Sequence, residues 1–221
     1  MNYIERFNEL RTSIPENVKI VAVSKTKPAS KIEELYHQAG HKIFGENKAQ
    51  ELITKQVILP FDIDWHFIGH LQTNKIKIIA PFIGLIQSVD SFKLLAEINK
   101  EALKCNRVIP CLLQFYIASE ESKFGFSMDE ASKMFDDNRI QDLKNITVQG
   151  IMGMATYTPN ENQIRSEFKA LFNYFKTLKS NYFANDPGFC EISMGMTDDY
   201  QLAIDEGSTI VRIGSGIFGD R

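Results

Sequence analysis

The stretch Val18–Pro28, VKIVAVSKTKP, passes from an apolar segment of strand length into a polar turn that carries two lysines. Such a passage from an apolar segment to a polar turn occurs about eight times along the chain. A segment with helical periodicity follows each apolar segment except the last. Regular alternation of strand and helix predicts parallel strands joined by right-handed crossovers. Eight such strands predict a closed (β/α)8 barrel, the TIM-barrel architecture of the α/β class.

The predicted elements account for nearly the whole chain. The seven further strands are HKIF, DWHFI, GLIQSV, RVIPCLLQFYI, ITVQGIMG, GFCEIS and STIVRIG. A helix over Tyr3–Arg11 is predicted to supply the helix that the last strand lacks, and Ser91 is predicted to cap the helix that begins SFKLL. Because no linker interrupts the alternation, residues 1–221 are predicted to form a single barrel domain.

The composition and charge of the chain argue against a nucleic-acid partner and a membrane partner. The chain has 25 Lys and Arg against 28 Asp and Glu and no basic block, so we expect no nucleic-acid partner. No apolar run approaches the ~18 residues of a membrane span, and the N-terminus lacks a signal-peptide pattern, so we expect no membrane partner. The three separated cysteines Cys105, Cys111 and Cys190 predict buried or half-buried thiols and a cytoplasmic location.

Lys25 is the first candidate site residue, since active sites of such barrels lie at the C-terminal ends of the strands. Alternation places Lys25 on the same face of its strand as Val21 and Val23. A lysine at the inner rim of the barrel is partly desolvated, which disfavours its ammonium form and favours attack on a carbonyl to form a Schiff base. The alternative interpretation is a lysine at a strand end whose amine extends into water.

The loops after the seventh and eighth strands predict a phosphate site. Barrels often bind phosphate between these two loops through backbone N–H groups. Ser193, Gly214 and Ser215 offer hydroxyl groups and close backbone approach. A tight exit turn is the alternative for the glycines. Gly214–Gly219 also matches GxGxxG, but we expect no helix and no acidic ribose ligand after it, and therefore no dinucleotide site.

Three further residues at the strand ends are weaker candidates. Arg212 shares a face with Gly214 and is predicted either to form a salt bridge with a barrel acid or to point a cation at the ligand. His66 is predicted to contact the ligand or to pack in the core, and Asn47 to donate to the ligand beside a helix cap. The pair His66 and His70 lacks the glutamate of HExxH, so we expect no metal site.

A series of motifs at the strand ends resembles one known family. The motifs are VAVSKTKP, FGENKAQE, WHFIGHLQTNK, SVDS, GIMGMAT, EISMGMTDDYQLAI and STIVRIGSGIFGDR. In this order they are similar to those of the pyridoxal 5'-phosphate (PLP) homeostasis proteins, which resemble the N-terminal barrel of alanine racemases. The match covers almost the whole chain.

The resemblance implies a role for each candidate residue. Lys25 would carry PLP as an aldimine, Asn47 would lie near the ring, and Arg212 would face the pyridine nitrogen. Ser193, Gly214 and Ser215 match phosphate-binding positions, and His66 lies in a matching motif. Ser215-Gly216 departs from the more usual Thr-Ala but retains a hydroxyl group. The role of Lys123 is left open.

Two functions follow from the resemblance. A carboxylate opposite the pyridine nitrogen makes PLP a strong electron sink, whereas an arginine disfavours such delocalisation, which fits either racemisation by two opposed bases or a bound cofactor with little chemistry. From the resemblance we expect a non-catalytic monomer that holds PLP, takes part in vitamin B6 and amino-acid homeostasis, and has PLP-dependent apoenzymes as partners. The alternative is a PLP-dependent amino-acid racemase, for which we expect 221 residues to leave no room for the further β-domain. A weaker alternative is a Schiff-base aldolase that needs no cofactor.

Overall fold

Eight parallel strands close into a barrel in the computed structural model, which describes residues 2–118 and 124–219. The strands are β1 (Lys19–Val23), β2 (Ile43–Glu46), β3 (Asp64–Phe67), β4 (Leu85–Val89), β5 (Ile109–Tyr116), β6 (Ile146–Met154), β7 (Glu191–Ser193) and β8 (Ile210–Ile213). They follow one another around the barrel in chain order, and β8 pairs with β1, where Val21 lies opposite Arg212. The predicted (β/α)8 architecture is confirmed.

Helices surround the strands. They are α1 (Tyr3–Ser13), α2 (Ala29–Ala39), α3 (Ala49–Gln56), α4 (Thr73–Ile79), α5 (Phe92–Lys104), α6 (Met128–Asp136), α7 (Glu161–Tyr182), α8 (Tyr200–Asp205) and α9 (Ser215–Phe218). The expectation that no helix follows the last strand is wrong, because α9 begins directly after Gly214. One turn is too short to produce the apolar periodicity from which helices are predicted.

Local sequence signals explain several helix boundaries. The predicted cap of α5 is confirmed, since the Ser91 hydroxyl accepts a hydrogen bond from the N–H of Leu94 at 3.3 Å. Helix α2 ends at Gly40, whose φ of 64° lies in the left-handed region that glycine adopts without strain. With these boundaries, each helix forms the crossover that connects one strand to the next strand of the barrel.

Two layers of apolar side chains make up the core. The larger lies between the strands and the helices and includes Ala22 and Phe44. The smaller fills the barrel interior, and its members are Val21, Leu85, Leu112, Met152 and Ile210. Because successive strand residues face opposite sides, Val21 and Val23 both point inward, and Val23 reaches the mouth of the barrel.

The structure also places the three cysteines. Each is an unpaired thiol, with Cys111 buried and Cys105 half-buried, whereas Cys190 is exposed. The expectation that all three would be buried or half-buried is therefore wrong for Cys190. Within residues 2–118 and 124–219, no helix has the length and apolar character needed to cross a membrane.

Candidate functional site

A cavity of about 380 Å³ opens at the C-terminal ends of the strands. Five of the residues predicted from the sequence line it, and they come from the ends of three different strands. They are Lys25, Asn47, Arg212, Gly214 and Ser215. The fold thus brings together residues that are far apart in the chain, such as Lys25 and Ser215, which are 190 positions apart (215 − 25).

The turn after β1 presents two lysines in different ways. The Nζ of Lys27 donates a hydrogen bond to the carbonyl oxygen of Gly219 at 3.0 Å. Lys25 is half-buried at the cavity wall, and its amine has no hydrogen-bond or ion-pair partner among the residues that the structure describes. Of these two lysines, Lys25 therefore has the amine that is available to a ligand in the cavity.

The neighbouring wall, beside the turn after β1, is formed by the turns after β7 and β8. The Thr197 hydroxyl accepts hydrogen bonds from the N–H groups of Gly214 and Gly216, each at 3.3 Å. A Cβ atom at Gly216 would lie 3.1 Å from the Thr197 methyl group, so the close approach of the two turns favours glycine. The Thr197 hydroxyl accepts these bonds and still has its own proton to donate, and with the Ser215 hydroxyl it supplies donors of the kind that a phosphate group requires.

Thr197 is a site residue that was not singled out from the sequence. The predicted strand GFCEIS ends at Ser193, as β7 does, but the Ser193 side chain does not reach the cavity. The hydroxyl that lies in the following loop, and lines the cavity, is that of Thr197. The motif SMGMT contains both hydroxyls, and only the packed structure shows which of them the cavity exposes.

Ser193 and His66 do not line the cavity. Both are buried in the layer of the barrel interior below it. Ser193 accepts a hydrogen bond from Nη1 of Arg212 at 2.5 Å and donates to Oε1 of Gln87 at 2.6 Å. Gln87 in turn lies 2.8 Å from Nδ1 of His66, and Nε2 of His66 lies 3.3 Å from Asp64. We call these five residues the interior chain.

The interior chain has a defined direction. An arginine can only donate, so Ser193 must accept from Arg212 and use its own proton for Gln87. The amide nitrogen of Gln87 then donates to Nδ1 of His66, which assigns the neutral tautomer with the proton on Nε2. Asp64 accepts the hydrogen bond from that Nε2–H. Gln87 was missed from the sequence because a glutamine inside an apolar strand carries no motif.

Arg212 is held by neutral groups and not by an acid. Its Nη2 donates to the carbonyl oxygen of Gly153 at 3.0 Å, in addition to the bond to Ser193. Among the described residues no carboxylate forms an ion pair with it. Burial lowers the pKa of Arg212 to about 10, and the negative charge of Asp199 partly offsets this lowering. The guanidinium is therefore still charged at neutral pH.

The charge of the cavity favours an anionic ligand. Of the described residues that line it, Lys25, Lys27 and Arg212 are basic, and only Asp198 is acidic. Clustered cations at a partly enclosed surface raise the local concentration of anions. Within the same described residues no group of three or more His, Cys, Asp or Glu side chains is arranged to hold a metal ion.

Asn47 follows β2 and extends the cavity wall on the other side of the Lys25 turn. Its Oδ1 is buried and has no hydrogen-bond partner among the residues described. Its backbone packs so closely on Gly69 that a Cβ atom there would lie 2.6 Å from the Asn47 carbonyl oxygen. An unpaired buried amide oxygen is costly unless a ligand satisfies it, so Asn47 fits a ligand-binding role. Lys123 lies outside the described residues.

Comparison with known proteins identifies the family of the chain. The family model for the alanine racemase N-terminal domain matches residues 2–221. The pyridoxal phosphate homeostasis protein of Aquifex aeolicus (strain VF5) is 38% identical over 204 residues, which cover 92% of this chain and 87% of that protein. The chain belongs to the pyridoxal phosphate homeostasis protein family. The family member from Escherichia coli (strain K12) is 33% identical over 213 residues, covering 94% of this chain and 87% of its own.

Solved structures extend the comparison to the fold of this family member. PipY of Synechococcus elongatus PCC7942, solved with PLP bound, is 31% identical and has a TM-score of 0.88, covering 99% of this chain and all of PipY. Alanine racemase of Clostridium difficile 630 has a TM-score of 0.77 at 14% identity, with 100% of this chain and 56% of the racemase covered. The second likeness concerns the fold alone.

Proposed function

We propose that this protein binds PLP, holds it covalently on Lys25 as an aldimine, and takes part in the intracellular homeostasis of vitamin B6 and amino acids. The observation that carries the proposal is the unpartnered amine of Lys25, among the described residues, at the wall of a cationic cavity. An amine can condense with the aldehyde of PLP, and a cationic cavity attracts its phosphate. Membership of the PLP homeostasis family and likeness to PLP-bound PipY support the same assignment.

Each wall of the cavity has a part in this proposal. Gly214 and Ser215, with Thr197 beside them, would hold the phosphate through backbone N–H groups and hydroxyls. Asn47 would satisfy its buried oxygen against the ring substituents, and Arg212 would lie near the ring nitrogen. The bound group would supply an electrophilic carbonyl carbon and a conjugated ring.

His66 and Ser193 take an indirect part in the proposal. Neither lines the cavity, and the Ser193 hydroxyl is occupied by both Arg212 and Gln87. We infer that they hold the guanidinium of Arg212 in place from below. Because His66 and Ser193 have no free path to the ligand, direct contact with the phosphate or the ring is not part of the proposed site.

Holding the cofactor is favoured over racemisation by the family of the chain, whose relatives are named pyridoxal phosphate homeostasis proteins. A charged guanidinium near the ring nitrogen opposes protonation of that nitrogen and weakens the electron sink. That arrangement fits a bound cofactor with little chemistry and also fits racemisation by two opposed bases, so Arg212 does not decide between them. With single enantiomers of amino acids, the loaded protein is expected to racemise no faster than free PLP. Racemisation well above that rate, measured by chiral chromatography, would support the enzyme.

The covalent link is tested by visible absorption and mass spectrometry. The wild-type protein mixed with PLP is expected to absorb in the visible and, after borohydride reduction, to carry the cofactor on the peptide that contains Lys25. Lys25→Ala is expected to abolish both signals. Lys27→Ala is the matched control and retains them, since Lys27 donates to Gly219. An unchanged spectrum in Lys25→Ala contradicts the proposal.

We further propose that the protein acts as a cytoplasmic monomer of one domain that passes PLP to PLP-dependent apoenzymes. The unpaired thiols of Cys105, Cys111 and Cys190 support a reducing compartment. Sedimentation of the loaded protein tests the monomer. Recovery of activity by a PLP-free apoenzyme, faster with the loaded protein than with PLP released by dilution alone, tests the transfer.

A further inference from the structure

A buried cluster of charges lies behind the turn that carries Lys25. Lys55 of α3 is only 5% exposed, and Glu46 at the end of β2 is fully buried. The Nζ of Lys55 donates to Oε1 of Glu46 at 2.6 Å and to Oε1 of Glu51 at 2.7 Å. We call Lys55, Glu46 and Glu51 the buried lysine cluster. None of the three lines the cavity.

The cluster is bonded to the residues on both sides of Lys25. Lys55 donates its third hydrogen bond to the carbonyl oxygen of Ser24 at 2.8 Å. Glu46 accepts from the hydroxyl of Ser24 at 2.7 Å, and Glu51 accepts from the N–H of Thr26 at 2.6 Å. The backbone of the turn is therefore fixed immediately before and immediately after Lys25.

The conformation of Thr26 explains why the turn needs such support. Its φ is 64°, in the left-handed region that a β-branched side chain adopts only at a cost. The hydrogen bond from its N–H to Glu51 holds this residue against relaxation to an extended conformation. Relaxation would turn the Lys25 side chain away from the cavity.

Stability alone is a poor explanation of the cluster. Buried ion pairs often stabilise a fold no better than apolar residues of the same volume. Oε2 of Glu46 is also buried without a hydrogen-bond partner among the described residues, which is a further cost. The cluster therefore carries a cost that a role in stability alone does not explain.

We propose that Lys55, acting through Glu46 and Glu51, is the positioning residue for Lys25. It keeps the Ser24–Thr26 backbone in the one conformation that places the Lys25 amine at the cavity wall, and it does not itself carry the cofactor. This inference rests on the proposed function for the role of Lys25. The position of the turn itself is a property of the protein without cofactor.

The test uses three variants and one matched control. Lys55→Met removes the cluster's cation, and Glu46→Gln/Lys55→Met also removes the buried carboxylate that would be left without a counter-charge. Glu51→Ala removes the acceptor of the Thr26 N–H and leaves the Lys55–Glu46 pair intact. The control, Lys100→Met, removes an exposed ion pair with Glu97 on α5, far from the turn.

Two quantities are measured for each variant. Hydrogen exchange at the Thr26 amide, in the protein without cofactor, reports the conformation of the turn. The rate at which PLP attaches to Lys25, followed by visible absorption and borohydride trapping, reports the position of the amine. We expect Thr26 exchange to be faster and attachment about 10-fold to 100-fold slower in Lys55→Met, since small misplacements of reacting groups have effects of this size. Glu51→Ala is expected to change the Thr26 exchange rate and the attachment rate in the same directions, and Lys100→Met is expected to change neither rate.

The double variant separates positioning from stability. We expect Glu46→Gln/Lys55→Met to recover much of the free energy of unfolding while attachment stays slow. Recovery of both the free energy of unfolding and the attachment rate would show that Lys55 only balances charge, and it would overturn the inference. Hydrogen exchange at the Thr26 amide that is as slow as in wild type, in a folded Glu51→Ala protein, would also overturn it. A wild-type protein that never acquires visible absorption would refute the proposed function, and Thr26 exchange would still test the turn.

Discussion

The two sides of the cavity hold their basic residues in opposite ways. On the lysine side, which consists of Lys25 and the buried lysine cluster, charged groups fix the backbone around Lys25 and leave its amine without a partner among the described residues. On the arginine side, which consists of Arg212 and the interior chain, neutral groups fix the guanidinium itself. The lysine side therefore holds a group that must react, and the arginine side holds a charge that must be oriented.

The difference follows from the chemistry of the two side chains. An amine that forms a covalent bond needs an available lone pair, so a hydrogen-bonded or ion-paired Nζ would be held in the unreactive ammonium form. A guanidinium acts as a fixed charge, and its planar donors are best oriented by acceptors of known direction. An acid in an ion pair with Arg212 would neutralise the charge that the site uses, and Asp199, although its charge acts on Arg212, forms no such pair. The interior chain avoids this by placing its carboxylate, Asp64, four hydrogen bonds away.

The largest expected difference between the two sides concerns stability. Lys55→Met leaves two carboxylates without their buried cation, and loss of one partner of a buried pair costs about 3–5 kcal/mol. The control Lys100→Met removes an exposed pair and is expected to cost about 0.2–1 kcal/mol. Urea unfolding at neutral pH measures both. Equal losses in the two variants would mean that the cluster is solvated in solution.

A smaller loss is expected on the arginine side. Gln87→Met keeps the volume of the side chain but leaves the Ser193 hydroxyl and Nδ1 of His66 without partners. Leaving buried polar groups unsatisfied costs about 1–3 kcal/mol, so this variant should unfold more easily than wild type but less easily than Lys55→Met. Gln141→Met, at an exposed site, serves as the control. A neutral effect of Gln87→Met would show that the chain does not hold Arg212.

The pH dependence sharpens the comparison further. Burial raises the pKa of Glu46, and the charge and hydrogen bond of Lys55 oppose that rise. Without Lys55 the pKa in the folded state rises further above the unfolded value of about 4.5. Such a carboxyl favours folding below the unfolded pKa, and that contribution is lost as the pH rises through the folded pKa.

The deficit of Lys55→Met relative to wild type should therefore be smallest at acidic pH and grow toward neutral pH. Urea unfolding over this range measures it. Glu46→Gln/Lys55→Met should lack the added pH dependence, because the amide that replaces the Glu46 carboxyl cannot titrate. A deficit that shrinks as the pH rises would contradict the assignment to Glu46.

The smallest expected effect lies at the phosphate wall. Thr197→Val keeps the shape of the side chain and removes the acceptor of the Gly214 and Gly216 N–H groups. These groups are near solvent, so the loss of stability should be about 1 kcal/mol or less. PLP should bind a few-fold more weakly by equilibrium dialysis, since the two turns are less well held. Thr177→Val, on the exposed face of α7, should leave binding unchanged.

Local patterns in the sequence were sufficient for the barrel and for the placement of Lys25 and Arg212 at its C-terminal rim, whereas the roles of these two residues stay predictions. Strand and helix periodicities are local, and alternation along β1 and β8 decides which side chains face inward. The GSG turn after β8 likewise indicated a close backbone approach. The same patterns missed α9, which is one turn long, and did not show that Thr197 lines the cavity while Ser193 is buried below it.

Only the tertiary structure decided what supports the two basic residues. Gln87 meets Ser193 across 106 positions, and Lys55 meets Ser24 across 31, through contacts that depend on strand register and helix orientation. Register and orientation are set by how all eight strands close and by how the helices pack on them, and no short stretch of sequence contains that information. The sequence by itself therefore determined the barrel and the two cations at its mouth. The packed fold decided which cation is left free to react and which is held.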